Sequence, residues 1–128
     1  MDKNSGFRIL VVEDEPLLRW SVAQALEASG NTVIEAADGS SAMWAMKHLP
    51  AADVVLLDYR LPDSDGFTLL EDIRHLAPDT PVVMMTAYGT EEIRDRAKTL
   101  GVSSVLNKPF DVFSVDDVLK TARAAYPH

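Results

Sequence analysis

The stretch DVVLLDYRLPDSDG, residues 53–66, runs from four apolar residues into Asp58 and then into residues typical of a turn. The apolar run at 54–57 consists of valine and leucine, which is typical of a strand covered on both faces. Aspartate is a poor strand former, and removing its charge from water costs free energy. The position of Asp58 at the end of a buried strand therefore requires a functional explanation.

Five apolar segments alternate with five segments of helical periodicity along the chain. The predicted strands are Arg8–Val12, Thr32–Ala36, 54–57, Val82–Thr86 and 103–107. The predicted helices cover 16–29, 40–49, 67–76, a segment from the capping residue Thr90 to Gly101, and a segment that begins at a capping box, Ser114 to Asp117. This alternation predicts an α/β fold of the flavodoxin-like (βα)5 type, a three-layer sandwich around a parallel five-stranded sheet in the order 2-1-3-4-5. We expect one domain over residues 7–126, with short tails at 1–6 and 127–128.

Composition excludes several classes of function. The 128 residues carry 20 acidic and 12 basic side chains, a net charge of −8, which disfavours direct binding of nucleic acid or of an anionic membrane. The absence of cysteine excludes disulfides, thiol catalysis and cysteine metal sites. No apolar run reaches the length of a membrane span, and the first residues lack the apolar core of a signal peptide, so we expect a cytoplasmic protein.

Polar side chains follow four of the predicted strands, at the edge where such folds carry their chemistry. They are Glu13-Asp14-Glu15, Asp58, Thr86 and Lys108. Crowded carboxylates raise one another's pKa unless a cation offsets them, and oxygen ligands favour Mg²⁺ or Mn²⁺. A carboxylate beside such a metal can attack phosphorus to give an aspartyl phosphate, while a hydroxyl and an ammonium neutralise the phosphoryl oxygens.

Four blocks in this order carry a family resemblance: LVVEDEP, LLDYRLPDSDG, MMTAYG and LNKPF. They resemble the motifs of response-regulator receiver domains, the CheY-like family of two-component signalling, over about residues 7–126. The blocks TAYG and LPDSDG are closest in style to NtrC-type regulators. The resemblance implies a phosphorylation-dependent signalling switch, one that assists its own phosphorylation and dephosphorylation, rather than an enzyme.

The resemblance also implies a role for each site residue. Asp58 would be the phosphoacceptor, Thr86 the switch hydroxyl, and Lys108 the phosphate-pairing lysine, followed by a cis bond to Pro109. Mg²⁺, or Mn²⁺, would be held by Glu13, Asp14, Asp58 and the main-chain carbonyl of Arg60. The implied phosphodonor is a sensor histidine kinase or a histidine phosphotransfer protein. The output would be a face formed by the fourth helix, fifth strand and fifth helix, to which we assign Tyr88, Ile93, Arg94, Ala97 and Val105. That face would control a C-terminal effector domain or a downstream protein, or form a homodimer on activation.

Two positions depart from the family pattern. Val105 stands where receivers commonly carry a tyrosine or phenylalanine that rotates inward as the threonine moves. Valine cannot make this change, so we expect the signal to leave the site through another side chain, with Tyr88 the first candidate. Ser64 replaces a frequent methionine, and we expect it to alter only the loop after Asp58.

Two functions of other classes are alternatives. An aspartate-nucleophile phosphohydrolase also forms an aspartyl phosphate, but it would need a second acid at the position of Arg60 and a cap domain. A flavin-binding protein of the same fold would need a phosphate cradle where Glu13-Asp14-Glu15 repels phosphate. The histidines His48, His75 and His128 are expected to be exposed rather than ligands. Trp20 and Trp44 are expected to serve packing or a partner surface.

Overall fold

The computed structural model describes residues 6–125, in which five strands alternate with five α-helices. The strands are β1 (Arg8–Val12), β2 (Thr32–Ala36), β3 (Val54–Asp58), β4 (Val82–Thr86) and β5 (Ser104–Asn107). The α-helices are α1 (Pro16–Ala28), α2 (Gly39–His48), α3 (Gly66–Leu76), α4 (Glu91–Thr99) and α5 (Val115–Ala124), and a 3-10 turn at Val112–Ser114 precedes α5. No helix within residues 6–125 is both long enough and apolar enough to pass through a membrane.

All four strand pairings are parallel, and the order of the strands is β2-β1-β3-β4-β5. The predicted fold class and strand order are therefore confirmed. The register pairs Asp58 with Met85 and Thr86 with Asn107. The carboxyl ends of β1, β3, β4 and β5, which carry the predicted site residues, consequently lie at one edge of the sheet.

The sheet is buried on both faces because the central strands β1, β3 and β4 each carry a run of four apolar residues, all of them buried. In β3, Val55 and Leu57 pack in the apolar layer under α2, α3 and α4, while Val54 and Leu56 pack in the layer under α1 and α5. A strand buried on both faces cannot slide without exposing side chains of this kind. The core therefore fixes β3, and with it the position of Asp58.

Several predicted boundaries need corrections of one residue. Asp58 is the last residue of β3, and β5 begins at Ser104. Helices α2 and α3 begin one residue earlier than predicted, because the carboxylates of Asp38 and Asp65 cap them. Helix α4 is capped by Thr90, as predicted.

The capping box predicted at Ser114 is wrong. Ser114 has helical backbone angles and no side-chain capping bond to α5. Its hydroxyl donates instead to the carbonyl of Asp111 at 2.7 Å, and the Asp111 carboxylate accepts from the N–H of Phe113 at 2.9 Å. The 3-10 turn thus runs directly into α5, and Asp111 caps the combined segment. Most of the tails predicted at 1–6 and 127–128, and with them His128, lie outside the described residues.

Candidate functional site

A cleft of about 450 Å³ opens at the carboxyl edge of the sheet. Its lining includes the five side chains that the sequence predicts for the site: Glu13, Asp14, Asp58, Thr86 and Lys108. Glu13 and Asp14 follow β1, Asp58 and Thr86 end β3 and β4, and Lys108 follows β5. The parallel register brings these four strand ends to one edge of the sheet. The fold thus assembles the predicted set in one place.

The three carboxylates of the cleft are close enough to share a cation. Glu13, Asp14 and Asp58 each offer an oxygen within 4.8 Å of the others. Glu13 and Asp58 are 1% and 3% exposed, whereas Asp14 is open to solvent. An all-oxygen set with one open side fits Mg²⁺ or Mn²⁺, which prefer carboxylate oxygens and keep several waters. These residues can therefore hold a divalent cation.

Lys108 is the cation that the protein itself supplies. Its ammonium lies 2.8 Å from Oε1 of Glu13 and 3.2 Å from Oδ2 of Asp58. One ammonium cannot neutralise three ionised carboxylates, so the cleft keeps an excess of negative charge. This imbalance favours the uptake of a proton or of a divalent cation.

The pKa values of the buried groups reflect the same imbalance. Burial raises the pKa of Glu13 to about 7, against the opposing effects of Lys108 and of the Glu15 N–H. Burial likewise raises the pKa of Asp58, although the charge of Lys108 opposes the shift. Burial lowers the pKa of Lys108, but its bond to Glu13 and the charge of Asp58 outweigh that effect and leave the pKa raised. Without a metal, the buried pair of Glu13 and Asp58 therefore retains protons to a higher pH than ordinary carboxyl groups do.

Arg19 in α1 holds the loop of Glu13 and Asp14 in place, a role that the sequence did not reveal. Its guanidinium donates to the carbonyl of Glu13 at 2.8 Å and forms an ion pair of 3.1 Å with Glu35 of β2. The N–H of Glu15 donates to the Glu13 carboxylate at 3.0 Å. The carbonyl and the carboxylate of Glu13 are therefore both held by hydrogen bonds. The spacing of residues does not indicate the contact between Arg19 and Glu35, because it joins α1 to β2.

The turn after Asp58 depends on a close approach of two backbone segments. The N–H of Gly66 donates to the carbonyl of Tyr59 at 2.6 Å, and a Cβ at Gly66 would lie 2.8 Å from the Cα of Tyr59. Only glycine fits there. Arg60, near the start of this turn, lines the cleft, and its N–H lies 3.4 Å from Oδ1 of Asp58.

Asp63, in the turn after Asp58, binds the start of α2. Its carboxylate accepts from the N–H groups of Gly39 and Ser40 at 2.8 and 3.0 Å. Asp65 caps α3 by accepting from the N–H of Thr68. Ser64 donates to the carbonyl of Asp65 within the same loop. The loop that follows Asp58 is therefore tied to two helices.

Thr86 and the residues after it form the wall of the cleft on the side of β4. Thr86 is 1% exposed, and its Oγ1 accepts from the N–H of Tyr88 at 2.8 Å. The N–H of Lys108 donates to the carbonyl of Thr86 at 2.8 Å. The Lys108–Pro109 peptide bond is cis, as the resemblance implied. The carboxyl ends of β4 and β5 are thus joined at the site by a backbone hydrogen bond.

The residues assigned to a partner face differ in exposure. Tyr88 is exposed, while Ile93, Arg94 and Val105 are half-buried. Ala97 is fully buried in the apolar layer under α4, so it contributes no surface, because it lies on the inner side of its helix. Its assignment to the surface is therefore corrected. His48, His75, Trp20 and Trp44 are exposed.

Comparison with known proteins places the chain among receiver domains. Residues 9–120 match the family described as response regulator receiver domain. The chain is 39% identical over 116 residues to the probable transcriptional regulatory protein TcrX of Mycobacterium tuberculosis, covering 91% of this chain and 48% of that protein. It is 37% identical over 125 residues to the sensor histidine kinase RcsC of Salmonella typhimurium, covering 98% of this chain and 13% of that protein.

Solved structures give the same result. The crystal structure of NtrX from Brucella abortus has a TM-score of 0.87 and 32% identity, covering 94% of this chain and 27% of that one. This similarity supports the likeness to NtrC-type regulators. The chain spans about half the length of the curated relatives that it matches first. Neither the phosphohydrolase nor the flavin-binding alternative receives support from these similarities.

Proposed function

The chain belongs to the family of response regulator receiver domains, and from this premise we propose that Asp58 accepts a phosphoryl group from the phosphohistidine of a partner protein. One observation carries the proposal. Asp58 is 3% exposed at the end of β3, with the Lys108 ammonium at 3.2 Å and two further carboxylates within 4.8 Å. A buried carboxylate with this surrounding is positioned as a nucleophile rather than as a structural group.

The transfer requires one bond to form and one to break. A carboxylate oxygen of Asp58 forms a bond to phosphorus while the bond from phosphorus to the donor imidazole nitrogen breaks, and the imidazole leaves. In the reverse half of the cycle a water oxygen attacks phosphorus, the bond to Asp58 breaks, and inorganic phosphate is released. Thr86 and Lys108 lie beside Asp58 and can each donate to a phosphoryl oxygen.

Glu13, Asp14 and Asp58 would hold Mg²⁺, or Mn²⁺, together with the main-chain carbonyl of Arg60. A bound divalent cation supplies neutralisation of the phosphoryl oxygens as negative charge gathers there. Arg19 keeps the Glu13 backbone in position for this, and Lys108 is released from Glu13 to serve the phosphoryl group. The exposed position of Asp14 leaves room for metal-bound water.

The partners follow from the family. We propose a sensor histidine kinase or a histidine phosphotransfer protein as the phosphodonor, in the cytoplasm, and an effector domain or downstream protein as the recipient of the signal. The responding face comprises α4, β5 and α5, with Tyr88, Ile93, Arg94 and Val105 near the site, and it can also form a homodimer on activation. The similarity to TcrX, a probable transcriptional regulatory protein, supports a role in control of transcription.

Incubation with acetyl phosphate and Mg²⁺ tests the site. We expect intact-mass measurement to record the gain of one acid-labile phosphoryl group in the wild type and in Asp65→Asn, which keeps a helix cap at a nearby aspartate. Asp58→Asn should gain none. Full incorporation by Asp58→Asn would place the phosphoacceptor elsewhere.

A further inference from the structure

The side chain of Arg60 lies over the ring of Tyr88 at the mouth of the cleft. Its guanidinium carbon is 4.5 Å from the centroid of the Tyr88 ring, a cation–π contact. Within residues 6–125 the ion pairs involve other basic groups, and Arg60 forms none of them. Among these residues, the charge of Arg60 therefore has an aromatic partner but no ion-pair partner.

Arg60 and Tyr88 both line two clefts. One is the cleft that contains Asp58. The other is a second cleft of about 450 Å³ that reaches Ile93 and Arg96 of α4. A movement of this pair would therefore change the second cleft, on the side of α4, in response to an event in the first.

Tyr88 is also tied to the residue that faces the reaction. Its N–H donates to Oγ1 of Thr86 at 2.8 Å, and Thr86 lines the cleft beside Asp58. The ring of Tyr88 is half exposed and is not part of the core. A movement of Thr86 would therefore reach the backbone of Tyr88 directly, and the Tyr88 side chain is not held in place by the core.

A phosphoryl group on Asp58 would compete with the ring for Arg60. An exposed cation–π contact changes an equilibrium constant by about two- to fivefold. A hydrogen bond between charged partners, such as guanidinium and phosphoryl oxygen, changes it by about tenfold or more. Arg60 follows Asp58 by two residues, and its backbone already lies against the carboxylate. The phosphoryl group is therefore the stronger partner.

We propose that Arg60 is a phosphoryl-binding side chain held in reserve on Tyr88, and that phosphorylation of Asp58 transfers it from the ring to the phosphoryl oxygens. The inference rests on the proposed function of Asp58. The transfer frees Tyr88 and changes the lining that the two clefts share. It provides a route out of the site that does not need an aromatic residue at Val105.

Nuclear magnetic resonance of the whole chain tests the transfer, with beryllofluoride and Mg²⁺ in place of the phosphoryl group. The δ-methylene protons of Arg60, assigned with Arg60→Lys, should be shifted upfield by the Tyr88 ring in the free protein. They should lose that shift when the fluorine spectrum shows bound beryllofluoride. Tyr88→Phe keeps a ring and should behave like the wild type, whereas Tyr88→Leu should lack the upfield shift in both states.

Affinity for beryllofluoride supplies a second measurement. Tyr88→Leu should bind about two- to fivefold more tightly than Tyr88→Phe, because no ring competes for Arg60. Arg60→Gln should bind about tenfold more weakly than Lys47→Gln, a matched loss of charge at an exposed position of α2. Equal affinities of Arg60→Gln and Lys47→Gln would overturn the proposal.

The role of Arg60 and the proposed function of Asp58 would be contradicted by different results. Bound beryllofluoride with Arg60 protons still shifted upfield, or no upfield shift in the free protein, would overturn the role of Arg60 alone. A folded wild-type protein that never shows bound beryllofluoride would overturn the proposed function of Asp58, and the role of Arg60 with it.

Discussion

The ammonium of Lys108 lies 2.8 Å from Oε1 of Glu13, closer than its 3.2 Å distance to Asp58. The lysine that would pair with a phosphoryl group is thus engaged with a residue that would bind metal. A divalent cation at Glu13 weakens the hold of that carboxylate on Lys108, since both cations compete for the same charge. Metal and lysine are therefore coupled through Glu13.

We expect the metal-free protein to lose stability as the pH rises from about 4.5 to about 7. Burial raises the pKa of Glu13 to about 7 in the folded state, from 4.5. The folded state therefore binds more protons than the unfolded chain across this window, and its free energy of unfolding falls as the pH increases. The raised pKa of Asp58 acts in the same direction. Linkage gives a loss on the order of 2 kcal/mol, measurable by urea unfolding in the presence of a chelator.

The variant Glu13→Gln isolates this effect. It should show a shallower decline and, at a pH of about 8, should be more stable than the metal-free wild type, because a neutral amide carries no charge into the buried site. Asp14→Asn is the matched control, since Asp14 is open to solvent. The same pH slope in Glu13→Gln and the wild type would contradict the raised pKa of Glu13.

Removal of the Lys108 charge should strengthen metal binding. In Lys108→Met, Glu13 and Asp58 lose the ammonium with which they form ion pairs, so Mg²⁺ should bind about tenfold more tightly. Titration with Mg²⁺ at a pH of about 9, above the raised pKa of Glu13 in the wild type, measures the change. Lys120→Met removes an exposed lysine that is paired with Asp116 and should leave the affinity unaltered. Weaker binding by Lys108→Met would show that Lys108 organises the site rather than competing for it.

Substitution of Arg19 should weaken metal binding, although Arg19 is not one of the proposed metal ligands. Arg19→Gln loses the bond to the Glu13 carbonyl, so the loop that carries Glu13 and Asp14 is held less firmly. We expect an affinity for Mg²⁺ lower by about tenfold. Glu35→Gln removes the ion pair but keeps Arg19, and it should have a smaller effect. Equal effects of the two variants would mean that the ion pair with Glu35, and not the bond to Glu13, matters.

Alanine at Gly66 should destabilise the turn after Asp58. Its Cβ would lie 2.8 Å from the Cα of Tyr59, a backbone atom that cannot move aside alone. Overpacking of this kind costs about 1–3 kcal/mol, which denaturant unfolding can measure. Thr68→Ala, at an exposed position of the same helix, should change stability by less than about 0.5 kcal/mol. A Gly66→Ala protein as stable as Thr68→Ala would show that the turn can relax.

Most of the fold and the cleft could be predicted because both depend on local patterns. Apolar segments alternating with helical ones predict a parallel sheet, and the ends of parallel strands meet at one edge. Glu13, Asp58, Thr86 and Lys108 follow from that rule alone. The elements were misplaced where a competing local bond decides the boundary, as at Asp111, which caps the turn before α5 in place of Ser114.

The contacts that join distant segments could not be predicted. Arg19 reads as an ordinary helix residue until β2 brings Glu35 beside it, and Asp63 reads as a turn residue until α2 lies against the loop. Ala97 was assigned to a surface because spacing gives the periodicity of a helix but not which side of α4 faces the core. The Arg60–Tyr88 contact likewise joins two loops that are separate in the sequence.

The sequence by itself determined the class of fold, the order of the strands and the residues gathered at their carboxyl ends, because apolar periodicity specifies which faces must be buried. Only the tertiary structure decided how the charges of those residues are balanced. Lys108 lies against Glu13 as well as Asp58, burial raises the pKa of Glu13, and Arg60 lies over the ring of Tyr88. The reason is physical: the free energy of a charge depends on its burial and on partners a few ångströms away, and neither is encoded in the spacing of residues along the chain.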